Sequence, residues 1–172
     1  MNSYTDPKSA TSEFRANLEL LMQIPLFTRI PLEALKLLAY LCQRENFKPG
    51  EMLFRQHEVD AHAFFILEGK AALVLEEGTE LVLGEFTEGQ LIGGQSMFAD
   101  TKRLFSLRAV SRVTCLILAR EKFQRVLEQF PEIAPKMFEA IVVAIHQWES
   151  RFLAQHAIAC SGCLQNLGVT LI

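Results

Sequence analysis

The sequence predicts a mainly β protein of the α+β class, with a jelly-roll barrel (a double-stranded β-helix) between N-terminal helices and one long C-terminal helix. Apolar residues recur every three to four positions over residues 13–42 and again over 121–155, which is typical of amphipathic helices. Residues 48–118 instead form short apolar runs separated by glycines and turn signals. Strands and helices do not alternate along the chain, so a barrel is favoured over a doubly wound parallel sheet.

Two N-terminal helices are predicted after a polar stretch. Residues 1–12 carry no apolar pattern and are expected to form a flexible tail. From residue 13 onward, Phe14, Leu18 and Leu21 fall on one helical face. The second helix follows Pro31, and its apolar positions are Leu32, Leu35, Leu38 and Ala39.

Seven short strands are predicted in the middle of the chain. The segment Lys48-Pro49-Gly50-Glu51 is a turn signal before the first of them, and Glu77-Gly78 fits a tight hairpin turn. Together with the N-terminal helices, the strands make up one domain over residues 13–120. The predicted strands span residues 52–54, 63–67, 71–75, 80–83, 90–92, 105–110 and 114–118.

Residues 121–156 are predicted to form a hinge and a dimerisation helix. Pro131 ends or bends the first helical stretch. A helix over residues 132–155 would extend ~36 Å, about the width of a small domain or more. Its apolar stripe either packs on the barrel or pairs with a second copy of the chain, and we favour the second interpretation. The predicted dimer interface consists of Ile133, Met137, Ile141, Ala144, Trp148 and Phe152.

The composition is that of a soluble globular domain. The chain has 172 residues, of which 50% are hydrophobic and 22% are charged, and its net charge is −3. This balance gives no positive surface for nucleic acid, and no apolar run approaches the ~18 residues of a membrane span. The polar start lacks the apolar core of a signal peptide. We therefore expect a cytoplasmic protein that binds neither membranes nor DNA directly.

The four cysteines are expected to be reduced thiols. Cys42 and Cys115 lie in apolar contexts that are typical of a core. Cys160 and Cys163 lie in a predicted second tail, residues 157–172, and have the spacing of a redox pair or half a zinc site. Because no second pair stands nearby, two inert thiols are the favoured interpretation and no metal site is predicted. No nucleophile motif is found, so an enzyme is not expected.

The order of the elements, with several local motifs, resembles the cyclic nucleotide-binding domain family over roughly residues 20–155. The resemblance implies the barrel fold, a phosphate-binding cassette after residue 92, and pairing of the long helix with its copy across a two-fold axis. The motifs that carry it are Pro25-Leu26-Phe27 with Leu32, Leu35 and Leu38, then Phe47-Lys48-Pro49-Gly50, Phe64-Phe65-Ile66-Leu67-Glu68-Gly69 and Phe86-Thr87-Glu88-Gly89.

The cassette departs from the family pattern that the resemblance implies. In the family, a Glu carboxylate accepts the ribose hydroxyl and an Arg pairs with the cyclic phosphate. Here Gly94 stands at the Glu position, and losing one charged hydrogen bond weakens binding by ~10–150-fold. Arg103 stands at the Arg position and is either that phosphate ligand or a solvated surface residue. His57 replaces a family glycine in an early turn. The predicted ligand-binding set is Gly93, Gly94, Gln95, Ser96, Lys102, Arg103, Leu104 and Phe105, the last two where small residues are the rule.

The function expected from this resemblance is that of a regulatory sensor. A cyclic nucleotide, cAMP or cGMP, would be held mainly through Arg103 and would shift the C-terminal helices. The alternatives are a dimeric interaction module that has lost the ligand, or a module for another anion such as a cyclic dinucleotide. Only about 17 residues follow Gln155, too few for a helix-turn-helix domain, so we expect a stand-alone homodimer whose output passes through an unidentified protein partner.

Overall fold

The computed structural model describes residues 7–156, apart from the side chains at 7–10, 152, 153, 155 and 156. Two N-terminal helices come first, α1 (Pro7–Gln23) and α2 (Leu32–Leu41), with a short 3-10 helix (Pro25–Phe27) between them. Eight strands follow, and the described chain closes with α3 (Arg120–Gln129) and α4 (Ile133–His156). The predicted fold class is confirmed.

The eight strands form two antiparallel four-stranded sheets. One sheet has the order β1-β8-β3-β6 and the other the order β2-β7-β4-β5. Sequence neighbours therefore often lie in different sheets, as expected for a jelly roll. The strands are β1 (Gln43–Phe47), β2 (Met52–Phe54), β3 (His62–Glu68), β4 (Lys70–Glu77), β5 (Thr79–Thr87), β6 (Leu91–Ile92), β7 (Ser106–Ala109) and β8 (Val113–Ala119).

Strand β1 was not predicted from the sequence. It pairs with β8 along its whole length, from Gln43 opposite Ile117 to Phe47 opposite Val113. All of its residues except Phe47 are exposed, so its sequence shows no apolar alternation. Only pairing with the buried strand β8 makes this polar segment a strand.

Helix α1 begins at Pro7 rather than at residue 13, so part of the expected tail is helical. Proline suits the first turn of a helix because its fixed φ matches the helix and its missing N–H is not needed there. The apolar face begins only with Phe14, which is why apolar periodicity does not reveal the earlier turns. Residues 1–6 lie outside the described part of the chain.

Two apolar cores hold the domain together. One lies inside the barrel and includes Phe54, Phe64 and Leu107. The other lies between the helices and the β1-β8-β3-β6 sheet and includes Phe27 and Phe123. The second core ties the C-terminal helices to the barrel, because side chains of α3 and α4 are part of it.

Helix α4 belongs to the domain only at its start. Ile133 and Met137 are 0% and 1% exposed and lie in the core beneath the helices. Their assignment to a dimer interface is wrong, because their side chains are already buried within one chain. From Phe138 to residue 151 the helix is exposed or half-buried throughout. Neither α4 nor any other helix in the described residues combines the length and apolarity needed to span a membrane.

Candidate functional site

The side chain of Arg103 is buried at the base of the predicted cassette and is only 4% exposed. Its Nε and Nη2 donate to Oδ2 of Asp60 at 3.1 and 2.5 Å, and Nη2 also donates to the carbonyl of His62 at 2.5 Å. The guanidinium carbon lies 4.1 Å from the centroid of the Phe54 ring. The interpretation of Arg103 as a solvated surface residue is therefore wrong.

The backbone also holds Arg103 in place. Its N–H donates to the carbonyl of Glu58, and its carbonyl accepts from the N–H of His57, both at 2.8 Å. His57 adopts φ +68°, the one positive φ among the described non-glycine residues. This left-handed geometry favours glycine, which is the residue that the family resemblance implies at this position.

Asp60 is the site residue that sequence reasoning missed. Its Oδ1 lies 2.6 Å from Nδ1 of His62 while its Oδ2 accepts from Arg103, so each carboxylate oxygen has a separate partner. Asp60 lies 43 residues before Arg103, in a short polar turn without any motif. The carboxylate fixes the direction of the guanidinium and compensates much of its charge before any ligand arrives.

The cassette itself is a short 3-10 helix, Gly94–Met97, which we call the cassette helix. Gly93 precedes it with φ +74°, and a Cβ built there would lie 2.0 Å from Nη1 of Arg103. At Gly94 a Cβ would meet nothing closer than a Leu91 methyl carbon at 3.5 Å. Gly93 therefore lies directly against the guanidinium, whereas Gly94 has room for a side chain.

We expect Gly93→Ala to displace Arg103 from Asp60 and to lower the free energy of unfolding by about 1–3 kcal/mol, because its Cβ clashes and its φ is strained. Gly94→Ala is the matched control, one residue away with an ordinary φ and free space, and should change stability by less than about 1 kcal/mol. Urea unfolding of both variants measures the difference. Equal losses would contradict the close approach of Gly93 to Arg103.

Leu104 and Phe105 follow Arg103 and offer two backbone donors. Within the described residues, the N–H groups of Leu104 and Phe105 donate to no other group of the protein. The Leu104 residue is 72% exposed. The Phe105 ring packs in the barrel, 5.7 Å from the Phe54 centroid and 6.2 Å from that of Phe86. A cation and two adjacent free N–H groups are groups that bind a phosphate oxygen.

The other predicted ligand residues are not all gathered at Arg103. Gln95 and Lys102 are exposed, whereas Ser96 is fully buried with its Oγ 3.5 Å from Oγ1 of Thr101. Arg108, which is not among the predicted ligand residues, lies on β7 and pairs with both carboxylate oxygens of Glu80, at 2.8 and 2.5 Å. Hydrogen bonding within this pair raises the pKa of Arg108 and lowers that of Glu80.

The described cysteines are core residues. Burial raises the pKa of the Cys42 and Cys115 thiols to about 12, so both are protonated and unreactive near neutral pH. In the part of the chain that the structure describes, no three potential metal ligands come together. Cys160 and Cys163 lie outside it.

The barrel of this chain is similar to a known family of domains. Residues 44–130 match the family model of the cyclic nucleotide-binding domain. Among curated relatives, the nitrogen fixation regulation protein FixK of Bradyrhizobium diazoefficiens is 26% identical over 110 residues, which are 63% of this chain and 45% of that protein. The chain spans less than half the length of the curated relatives that it matches.

Solved structures share the fold. A cyclic nucleotide-binding-like protein from Brucella abortus is 26% identical, with a TM-score of 0.62 over 66% of this chain and 98% of that one. The regulatory subunit of a cAMP-independent protein kinase A from Trypanosoma brucei, a mutant bound to cAMP in its A site, has a TM-score of 0.60 over 74% of this chain and 48% of that one. At 22% identity the second likeness shows the fold alone. On the match over residues 44–130, this chain belongs to the cyclic nucleotide-binding domain family.

Proposed function

We propose that the chain is a regulatory sensor module that binds a cyclic nucleotide through its phosphate. The phosphate would lie against Arg103 and the free N–H groups of Leu104 and Phe105. The observation that carries this proposal is the buried Arg103, whose orientation is fixed by the Asp60 carboxylate and the His62 carbonyl. The N–H groups of the next two residues donate to no other group in the described part of the protein. No enzymatic role is proposed for this module.

The proposed ligand contacts are strong for the phosphate and weak for the sugar. Gly94 offers no carboxylate to a ribose hydroxyl, and the neighbouring Gln95 is an exposed, neutral side chain. A missing charged hydrogen bond weakens binding by ~10–150-fold. We therefore expect affinity for a cyclic nucleotide to be low and to depend mainly on the phosphate.

A second function is favoured by two observations. Asp60 already compensates the charge of Arg103, and the Phe105 ring packs in the barrel where the family has a small residue. The alternative is an interaction module that keeps the fold and binds no cyclic nucleotide.

Isothermal titration of cAMP, cGMP and cyclic di-GMP separates these functions. We expect cAMP or cGMP to bind the wild type and Arg108→Ala equally, because Arg108 pairs with Glu80 away from Arg103. Binding should be lost in Arg103→Lys, which keeps the charge but cannot form the planar contacts. Gly94→Glu should strengthen it. No heat from any ligand at millimolar concentration, with a folded protein, would favour the interaction module.

We also propose that the output passes through α4, which would pair with a second copy or an unidentified protein partner. Phe138 and Trp148 are 65% and 55% exposed, and Ile141 and Ala144 also lie on the part of α4 that leaves the domain. The apolar positions of the proposed seam follow a three-four spacing that is typical of coiled coils. They are Phe138, Ile141, Ile145, Trp148 and, beyond the described side chains, Phe152.

The cytoplasm is the compartment proposed for this module. Cys42 and Cys115 are free thiols in the described structure. Unpaired, buried cysteines are common in reducing compartments.

A further inference from the structure

Arg120, the first residue of α3, contacts two segments of the candidate site. Its backbone N–H donates to the carbonyl of Ala61 at 2.8 Å. Its Nε donates to the carbonyl of Ser96 in the cassette helix, and its Nη1 pairs with the carboxylate of Asp100. The side chain is 12% exposed. Arg120 therefore bonds the start of α3 both to the cassette helix and to the segment that follows it.

Ala61 places Arg120 next to the ligand arginine as well. Asp60 and His62, on either side of Ala61, supply the carboxylate and the carbonyl that orient Arg103. A movement of Arg103 on ligand binding would therefore act on the same three-residue segment to which α3 is bonded. The path from Arg103 to α3 is a continuous set of bonds through Asp60–His62, and a second path runs through the cassette helix.

The remaining guanidinium nitrogen of Arg120 has no partner. Its Nη2 is buried and makes no hydrogen bond, and no other buried side-chain nitrogen or oxygen in the described residues is in this position. An unsatisfied buried donor is costly and uncommon. This donor is therefore available to an acceptor of the cassette in any other arrangement of the site.

We propose that Arg120 is the positioning residue that couples the cassette to α3 and α4. This inference rests on the function proposed above. When the cassette helix and residues 100–103 move around a ligand, Arg120 transmits the movement to the start of α3. Substitution of Arg120 should then remove the effect of the ligand on α4 even when the ligand is saturating.

Trp148 provides the readout, because it is the only tryptophan of the chain and lies on the exposed part of α4. In the full chain, cAMP should change Trp148 fluorescence in the wild type. Arg120→Met should still bind cAMP in calorimetry, more weakly than the wild type, and should lose the fluorescence change at saturating cAMP, while Arg120→Lys should recover part of it. Arg125→Met is the matched control on the same helix, since Arg125 makes an exposed pair with Glu121, and should respond like the wild type.

A wild-type fluorescence response in Arg120→Met would overturn the coupling role. Absence of cAMP binding to the wild type would instead overturn the proposed function, and a ligand-free measurement then decides the role of Arg120. Native-state hydrogen exchange should show faster exchange in Arg120→Met both at the Ser96 and Phe98 amides of the cassette and in the first turn of α3. Unchanged exchange at both places would also contradict the coupling.

Discussion

Replacing Arg103 by methionine is expected to lower the free energy of unfolding by about 3–5 kcal/mol. The substitution leaves the Asp60 carboxylate, 15% exposed, without its cation, and an uncompensated buried charge is destabilising by that amount. His62 keeps its contact with the carboxylate and limits the loss. Urea unfolding followed by circular dichroism measures the change.

A double-mutant cycle separates the contribution of the Arg103–Asp60 ion pair to the free energy of unfolding from that of the packing of the Arg103 side chain. Combining Arg103→Met with Asp60→Asn removes both charges, and we expect the double variant to be more stable than Arg103→Met alone. Arg108→Met is the matched control, because it breaks an ion pair with an exposed Glu80, and it should leave stability nearly unchanged. If Arg103→Met lowers the free energy of unfolding no more than Arg108→Met does, Arg103 does not form the buried ion pair of the site.

An aspartate should affect stability at one position of α4 and oligomeric state at the next. Met137→Asp is expected to destabilise the domain by about 3–5 kcal/mol or to prevent folding, because it buries a charge in an apolar core. Phe138→Asp should change stability by less than about 0.5 kcal/mol, since the Phe138 side chain is exposed, but should convert a dimer into a monomer. Unfolding curves and light scattering are measured on both variants.

The pair of variants tests the location of the seam. If Phe138→Asp has the molar mass of the wild type in light scattering, self-association does not use the exposed face of α4. If Met137→Asp folds with wild-type stability, Met137 is not part of the core and the original assignment of the interface regains its basis. The two outcomes are independent, because one depends on oligomer mass and the other on unfolding.

The sequence predicted those parts of the fold whose pattern is local. Strand β2 was placed at its observed ends, and the helical spacing after residue 120 located α3 and α4. Strand β1 was not predicted because its partner β8 lies about 70 residues away along the chain and because all of its residues except Phe47 are exposed. The spacing of apolar residues also could not show that the stripe of α4 is buried in the core as far as Met137 and is exposed or half-buried after it.

At the site, the sequence predicted the cassette and its arginine but not the residues that hold them in position. Motif spacing identified Gly93 and Arg103, which the structure brings into contact. Asp60 and Arg120 were missed because each acts through a contact with a distant segment. The burial of Arg103 could not be predicted either, since an arginine in a polar loop is exposed unless a carboxylate such as Asp60 compensates its charge.

An amide NMR titration of the wild type with cAMP shows directly whether a phosphate binds at Arg103. If the phosphate lies against Arg103, the amide protons of Leu104 and Phe105 should move downfield as they donate to it, and Arg103→Lys should not show the shift. A ligand that binds while these two amides stay in place would contradict the proposed phosphate site. Unchanged spectra at millimolar cAMP would contradict cyclic-nucleotide binding itself.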